Sequence, residues 1–181
     1  MNENSNLSIA PSDDHEIDVA VQEPDWHASH LDLEDVARTA ILQALRMAPL
    51  PEEIEGRSIE VSVVLANDDL LQVLNREYRG KDKPTNVLSF AQLDADSPVP
   101  EDGPYPVGDI ILSYQTIDRE AKEQDKFFKD HYTHMLVHGL LHLLGFDHVE
   151  EDEANVMESL EIRILENLNI QNPYMENFSM A

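Results

Sequence analysis

Cysteine is absent from this sequence of 181 residues. Its absence excludes disulfide frameworks, cysteine-ligated zinc ribbons, iron–sulfur clusters and thiol catalysis. The sequence also lacks a run of about 18 apolar residues, which a transmembrane helix would need. Its first residues contain neither the basic segment nor the apolar segment of a secretory signal. We therefore expect a cytoplasmic protein that does not enter a membrane.

Basic residues are scarce as well. The chain has 12 lysines and arginines against 37 aspartates and glutamates, which gives a formal net charge of −25. An acidic surface repels phosphate, so the total charge argues against a nucleic-acid partner. The acids are densest at the two ends, however, whereas most of the basic residues fall in two short segments: Arg76, Arg79, Lys81 and Lys83, and Arg119, Lys122, Lys126 and Lys129.

The second basic segment has spacings of three, four and three residues, which place its side chains on one helix face. Acidic residues are interleaved with it: Glu120, Glu123 and Asp125. The pattern fits either a solvated helix face with salt bridges or a basic rim beside a site that binds an anion.

Hydrophobic periodicity predicts both strands and helices. Alternating apolar residues indicate strands over 58–66, 87–91 and 108–114. A helix is expected to begin near Asp32, and most of the chain from 115 to about 169 is predicted to be helical. Because strands and helices do not alternate regularly, we predict an α+β fold.

The expected organisation is one domain with two extensions. Residues 1–30 are polar and acidic without sustained periodicity, which predicts a flexible N-terminal extension. Residues 31–170 are expected to form the single domain, and residues 171–181 a C-terminal tail.

Five of the eight histidines lie in 131–148. His138 and His142 are four residues apart, so on a helix both project from one face towards one metal ion. Gly145 can adopt the left-handed conformation that ends a helix, which lets His148 turn back towards the same ion. Three neutral imidazoles leave one coordination position of zinc for water, as in catalytic sites. The other two of the five are predicted to be helix-capping or surface residues: His131 and His134.

The histidine spacing equals that of the metzincin pattern H-E-x-x-H-x-x-G-x-x-H. Gly139 stands where those peptidases have a glutamate that accepts the proton of the zinc-bound water. The absence of this glutamate argues against a metallopeptidase. Since glycine has no side chain, we expect Gly139 to leave room above the helix for a bulkier substrate or for another residue.

Three motifs in order resemble one known family. The segment HGLLHLLGFDH, preceded by LNREYRGKDKPTNVLSF and by a GDIILS strand, is similar to the YbeY family of bacterial metallo-endoribonucleases and rRNA maturation factors. The resemblance covers roughly Ile59 to Leu165. It implies a compact α+β domain in which a small mixed sheet of about four strands packs with about five helices, one of them a zincin-like metal helix.

The resemblance also implies an activity and its partners. It implies one zinc ion held by His138, His142 and His148 with a water molecule, and hydrolysis of single-stranded RNA. It further implies a role in 16S rRNA 3′-end maturation and ribosome quality control, with the small ribosomal subunit as partner.

Further residues are assigned candidate roles. The arginine of the Y-R-G stretch is Arg79, whose planar guanidinium stays charged and can bind two phosphate oxygens at once. It is predicted to be catalytic together with His138. Lys81 and Lys83 are candidate substrate contacts. Asp147 and Asp109 are candidate carboxylates that orient a metal ligand. The nucleophile stays open between the metal-bound water and the RNA 2′-hydroxyl.

Two alternatives remain at this point. The first is a ribosome assembly factor in which zinc mainly holds the fold, since an acidic surface suits basic ribosomal proteins. The second is the metzincin-like peptidase. Three imidazoles also accept nickel and other ions, so the metal is not identified by its ligands alone.

Overall fold

The computed structural model describes residues 14–92 and 98–175. Its centre is a sheet of four strands in the order β1-β2-β4-β3. β1, β2 and β4 are parallel, whereas β3 pairs antiparallel with β4. The α+β fold predicted from the sequence and the mixed sheet implied by the family resemblance are therefore confirmed. The strands are β1 (Glu16–Val21), β2 (Ile59–Ala66), β3 (Val87–Ala91) and β4 (Tyr105–Ser113).

Helices cover both faces of this sheet. The main core lies on one face, between the sheet and the apolar sides of α1, α4 and α5. α2 packs on the other face through a smaller cluster around Leu71 and Leu88. The α-helices of the described residues are α1 (Leu33–Met47), α2 (Asp68–Arg79), α3 (Tyr114–Glu123), α4 (Phe128–Leu143) and α5 (Glu151–Asn167).

Local signals set the ends of the first two α-helices. Asp32 caps α1 by accepting a hydrogen bond from the backbone N–H of Asp35, and Asn67 caps α2 by accepting one from that of Leu70. Gly80 ends α2 in the left-handed conformation, with φ +70°. Arg79 is thereby placed at the last position of α2.

The prediction of a flexible extension over 1–30 is wrong for residues 14–30. Residues 16–21 form β1 and pair with β2 along its length. A 3₁₀ helix over Pro24–Ser29 then buries Trp26, whose indole Nε1 donates a 2.9 Å hydrogen bond to the carbonyl of Ala66. The alternation of apolar residues in EIDVAV is short, and the segment is acidic. Its strand conformation therefore depends on pairing with a strand far along the chain. Residues 1–13 lie outside the described residues.

The chain beyond α5 is also attached to the fold as far as it is described. The Lys126 ammonium donates a 2.9 Å hydrogen bond to the carbonyl of Pro173. Tyr174 reaches a carboxylate on α5. The predicted tail over 171–181 is therefore attached to the fold at Pro173 and Tyr174, and 176–181 lie outside the described residues.

Across the described parts of the chain, every helix is too short or too polar to cross a membrane.

Candidate metal centre

The three predicted metal ligands meet at the C-terminal end of α4. The Nε2 atoms of His138 and His142 lie 3.1 Å apart. α4 ends immediately afterwards, and Gly145 reverses the chain with φ +98°. The ring centroid of His148 then lies 5.7 Å from that of His138 and 5.1 Å from that of His142. The helical period and one glycine thus bring the three imidazoles together.

The donor set fits a divalent metal ion. One nitrogen from each histidine lies within 4.8 Å of the other two, so the three could hold one ion. Two nitrogens on a tetrahedral zinc are roughly 3.3 Å apart, given Zn–N bonds of about 2.0–2.1 Å. The 3.1 Å separation of the first pair is close to that value. His148 lies on the exposed loop that follows α4, so the side of the site away from α4 is open to solvent.

The site also keeps one ligand in its metal-binding form. Burial lowers the pKa of His142 to about 4, and the neighbouring His138 and His148 contribute in the same direction. A neutral imidazole has a lone pair to give to a metal, so His142 can bind one at neutral pH without first losing a proton.

Glu161 on α5 is a component of this centre that sequence reasoning missed. Its side chain is fully buried, and its Oε1 lies 2.5 Å from the Nδ1 of His138. Burial alone would raise the pKa of Glu161, but hydrogen bonds from His134 and His138 and their charges lower it to about 2. The sequence did contain a signal for it: Glu161 is an acid at helical spacing from Met157, on a helix stripe that is otherwise apolar.

The prediction for His131 and His134 is wrong. Both are buried, with 4% and 7% of their surface exposed. His131 Nε2 lies 3.0 Å from Glu120 Oε1, and His134 Nε2 lies 3.1 Å from Glu161 Oε2. They face carboxylates inside the fold because the N-terminal part of α4 is packed between α3 and α5 rather than at the surface.

Of the two expectations for Gly139, the structure supports room for another residue rather than room for a substrate. A Cβ at this position would lie 2.7 Å from Ile110 Cγ2 and 3.2 Å from Ser89 Oγ. Ser89 donates a 2.9 Å hydrogen bond to the carbonyl of Gly139. The glycine therefore permits α4 to pack closely on β3 and β4, and its side faces the sheet rather than the metal ligands.

A polar groove of about 680 Å³ runs past the metal ligands. One wall is formed by the end of α2 and by β3, and the other by α4 and the loop after it. Asp147 is the one carboxylate among the described residues that line it. The lining side chains with polar groups are Arg79, Thr85, Asn86, Ser89, His138, His142, Asp147 and His148.

Arg79 lines this groove, as a phosphate-binding residue must. Arg76, one turn earlier, lies 3.7 Å from the carboxylate of Asp82. No such carboxylate partner is found for Arg79 within 14–92 and 98–175. Its guanidinium is therefore available to an anion that enters the groove.

The remaining candidates differ in their positions. Asp147 Oδ1 accepts a 2.7 Å hydrogen bond from the backbone N–H of His148 and lies 3.9 Å from its Nδ1. Lys81 and Lys83 are exposed on the turn after α2 and do not line the groove. Asp109 lies on the sheet face opposite α4, because its neighbour Ile110 points towards Gly139. It therefore cannot orient a metal ligand.

The basic face of α3 and the residues after it are occupied by local contacts. Lys122 lies 2.8 Å from Asp118, and Arg119 lies 3.7 Å from Asp68. None of the four basic residues of this second segment lines the groove. The solvated, salt-bridged alternative is the one that the structure supports.

Most of the chain is similar to one family of known proteins. A family model described as "Endoribonuclease YbeY" matches residues 19–169. An endoribonuclease YbeY from Paramagnetospirillum magneticum is 45% identical over 162 residues, which cover 89% of this chain and 96% of that protein. The same name belongs to a relative from Magnetococcus marinus that is 55% identical over 65% of this chain and 84% of its own length. Another, from Rhizorhabdus wittichii, is 46% identical over 87% of this chain and 96% of its own length.

Proposed function

This chain belongs to the endoribonuclease YbeY family, and on that premise we propose that it is a metal-dependent endoribonuclease that cleaves single-stranded RNA. The observation that carries the proposal is one groove lined by three convergent imidazoles and by an arginine without a carboxylate partner among the described residues. A phosphodiester needs both elements, because negative charge develops on its oxygens during attack.

The residues present suit a zinc ion held by His138, His142 and His148. When bound, zinc would polarise a phosphoryl oxygen or lower the pKa of a water molecule towards ~7. The three neutral imidazoles contribute no negative charge, so the ion would keep its full positive charge towards the substrate. We propose zinc as the resident ion.

Arg79 has a separate task in this proposal. Its guanidinium binds the scissile phosphate and stabilises the charge that builds on the equatorial oxygens. Asp147 lines the same groove and is next to His148, so it holds the loop that carries this ligand. Lys81 and Lys83 lie outside the groove and attract the RNA backbone beyond the scissile phosphate.

The distribution of charge suggests how the substrate arrives. With a net charge of −25 the protein repels free RNA at long range. We propose that it acts in the cytoplasm on RNA presented by a partner, the small ribosomal subunit. Maturation of the 16S rRNA 3′ end and ribosome quality control would then be its role.

The decisive experiment compares metal-loaded and chelator-treated protein on a 5′-labelled single-stranded RNA. We expect cleavage by the loaded protein, loss of cleavage after chelation and recovery when zinc is returned. A matched DNA oligonucleotide and the RNA duplex serve as controls. Cleavage that continues at the same rate in metal-free protein would contradict the proposal.

The product ends identify the nucleophile. Attack by water would leave a linear phosphate, whereas attack by the RNA 2′-hydroxyl would leave a 2′,3′-cyclic phosphate and cannot occur on DNA. Chemical mapping of the ends separates the two routes. We propose the water route, and a cyclic phosphate as the first product would contradict it.

The site also bears on the two alternatives. A structural metal would be expected to tie together elements that do not pack otherwise. Here α4 is already buried against α1, α5 and the sheet, and His148 is on an exposed loop. For the peptidase, Gly139 packs on the sheet where a general base would be required. Casein cleavage by the zinc-loaded protein would revive the peptidase.

A further inference from the structure

Behind the metal ligands lies a buried polar cluster that the proposed reaction does not use. Glu161 is its centre: one carboxylate oxygen faces the Nδ1 of His138, and the other faces the Nε2 of His134. The hydroxyl of Tyr174 donates a hydrogen bond to that second oxygen. The cluster joins α4, α5 and the segment after α5.

Its contact with His138 has a defined chemical direction. A neutral imidazole that donates from Nδ1 carries no proton on Nε2, so its free lone pair is on Nε2. That Nε2 is the atom 3.1 Å from the Nε2 of His142, on the metal side. The carboxylate of Glu161 therefore selects the tautomer of His138 that can bind a metal. It also fixes the orientation of the His138 ring.

Tyr174 fixes the carboxylate in turn. The tyrosine ring lies edge-on against His134, with ring centroids 5.6 Å apart. Its segment is held in place by the hydrogen bond from Lys126 to Pro173 and by one from the backbone N–H of Tyr174 to Asn172 Oδ1. These contacts give the C-terminal segment a role at a site to which it contributes no metal ligand.

We propose that Glu161 and Tyr174 are positioning residues of the metal centre: Glu161 holds His138 by its Nδ1 with Nε2 towards the metal, and Tyr174 holds Glu161. This inference rests on the proposed metal site. It extends the functional unit to the segment after α5, so truncation at residue 170 would weaken metal binding without removing a ligand. Mutation of the carboxylate in such carboxylate–histidine–metal arrangements typically lowers metal affinity about 10- to 100-fold.

The test uses the full chain with two conservative variants, Glu161→Gln and Tyr174→Phe. Zinc alone is titrated against a chromophoric chelator. We expect zinc affinity to fall on the order of tenfold or more in Glu161→Gln and about severalfold in Tyr174→Phe, which removes one hydrogen bond to a charged group. The matched controls are Glu166→Gln, an exposed acid on the same helix, and Met175→Leu, the exposed neighbour of Tyr174. Both controls should bind zinc like the parent.

A second measurement separates positioning from simple support of the fold. Nitrogen-15 NMR of the metal-free protein reports which ring nitrogen of His138 carries the proton. We expect the Nδ1–H form in the parent, retention of that form in Glu161→Gln, whose amide oxygen still accepts a hydrogen bond, and a mixture of forms in Glu161→Leu. The leucine variant fills a similar volume, so it is the one in which the packing is kept and the acceptor is lost.

The outcomes distinguish this inference from the proposed function. Zinc affinity equal to the parent's in Glu161→Gln and Tyr174→Phe, with an unchanged His138 tautomer in Glu161→Leu, would overturn the positioning role. If the parent itself binds no zinc, the proposed metal site fails instead. The tautomer measurement, which needs no metal, still decides whether Glu161 selects the form of His138.

Discussion

The histidines of α4 fall into two groups that differ in what their Nε2 atoms face. In the N-terminal half, His131 and His134 are buried and each faces a carboxylate. In the C-terminal half, His138 and His142 point their Nε2 atoms at one another and, with His148, at an open groove. Both groups have helical spacing, so the spacing of histidines does not by itself make a metal site. The difference lies in what the Nε2 atom faces: a carboxylate in His131 and His134, and another imidazole in His138 and His142. His138 also contacts a carboxylate, that of Glu161, but through its Nδ1.

The largest effect should come from removing a ligand of the open group without disturbing the core. His148→Ala is suited to this because the residue is on an exposed loop. We expect cleavage of single-stranded RNA to fall on the order of 1,000-fold, since loss of one ligand removes several kcal/mol of metal binding. Rates are measured at fixed zinc, with His27→Ala as an exposed-histidine control. A folded His148→Ala protein with the parent's rate would show that the open group is not the metal centre.

Unfolding measurements on the same variant address the structural-metal alternative. If zinc mainly holds the fold, His148→Ala should unfold as readily as the chelated parent and both should be largely unfolded at 25 °C. We expect both to remain folded, because the core packs without this loop.

The next largest effect is expected at the opposite wall of the groove. Arg79→Ala should keep its metal yet cleave RNA about 100- to 1,000-fold more slowly. The negative charge that develops on the phosphate oxygens would no longer be stabilised by hydrogen bonds from the guanidinium. Arg79→Lys should recover only part of the rate, since an ammonium cannot bind two oxygens in a planar fork. Arg76→Ala is the matched control, as this arginine pairs with Asp82. Cleavage by Arg79→Ala at the parent rate would remove its assigned role.

A moderate effect on stability is expected at Gly139, which sets how closely α4 approaches the sheet. Gly139→Ala places a methyl 2.7 Å from Ile110 Cγ2. We expect the free energy of unfolding to fall by about 1–3 kcal/mol from overpacking, as measured by urea denaturation. Gly145→Ala is a useful comparison, because a Cβ there meets no atom within 4 Å and the cost arises from its positive φ alone. An unchanged stability for Gly139→Ala would contradict the close helix–sheet contact.

His131, the buried histidine that faces Glu120 rather than Glu161, should affect stability but not metal content. His131→Leu leaves Glu120 without its buried hydrogen-bond partner. We expect a loss of about 1–3 kcal/mol in the free energy of unfolding, with the zinc content of the native protein unchanged. Denaturation and metal analysis on one preparation test both halves of this statement, and a loss of zinc would break the division between the two groups.

The smallest effect is expected at Lys81 and Lys83, which are exposed outside the groove. Replacing both by alanine should weaken RNA binding roughly two- to fivefold at low salt, and less at high salt, because their contribution is electrostatic. Binding measured at two salt concentrations tests this. A loss as large as that of Arg79→Ala at both concentrations would place them at the reacting phosphate instead.

The parts of the fold that follow from local pattern were predictable. The period-2 alternation of 58–66 and the helix start near Asp32 are confirmed because each signal is contained within a few residues. The convergence of His138 and His142 has the same origin, since the helical period alone brings them together.

The parts that depend on distant partners were not predictable. β1 becomes a strand only against β2, and Trp26 is anchored to a carbonyl 40 residues away. Glu161 meets His138 across 23 residues of chain, through the packing of α5 on α4. The sequence left two alternatives for Gly139, because a glycine that admits a substrate and one that admits a neighbouring strand look the same in a sequence.

The central claim is that one group of histidines holds a metal and the other does not. Its most direct measurement is the zinc bound per chain after equilibrium dialysis of the parent, His142→Ala and His131→Ala. The account predicts one zinc per chain in the parent and in His131→Ala, and almost none in His142→Ala. Retention of zinc by His142→Ala, or its loss from His131→Ala with the fold intact, would contradict the account.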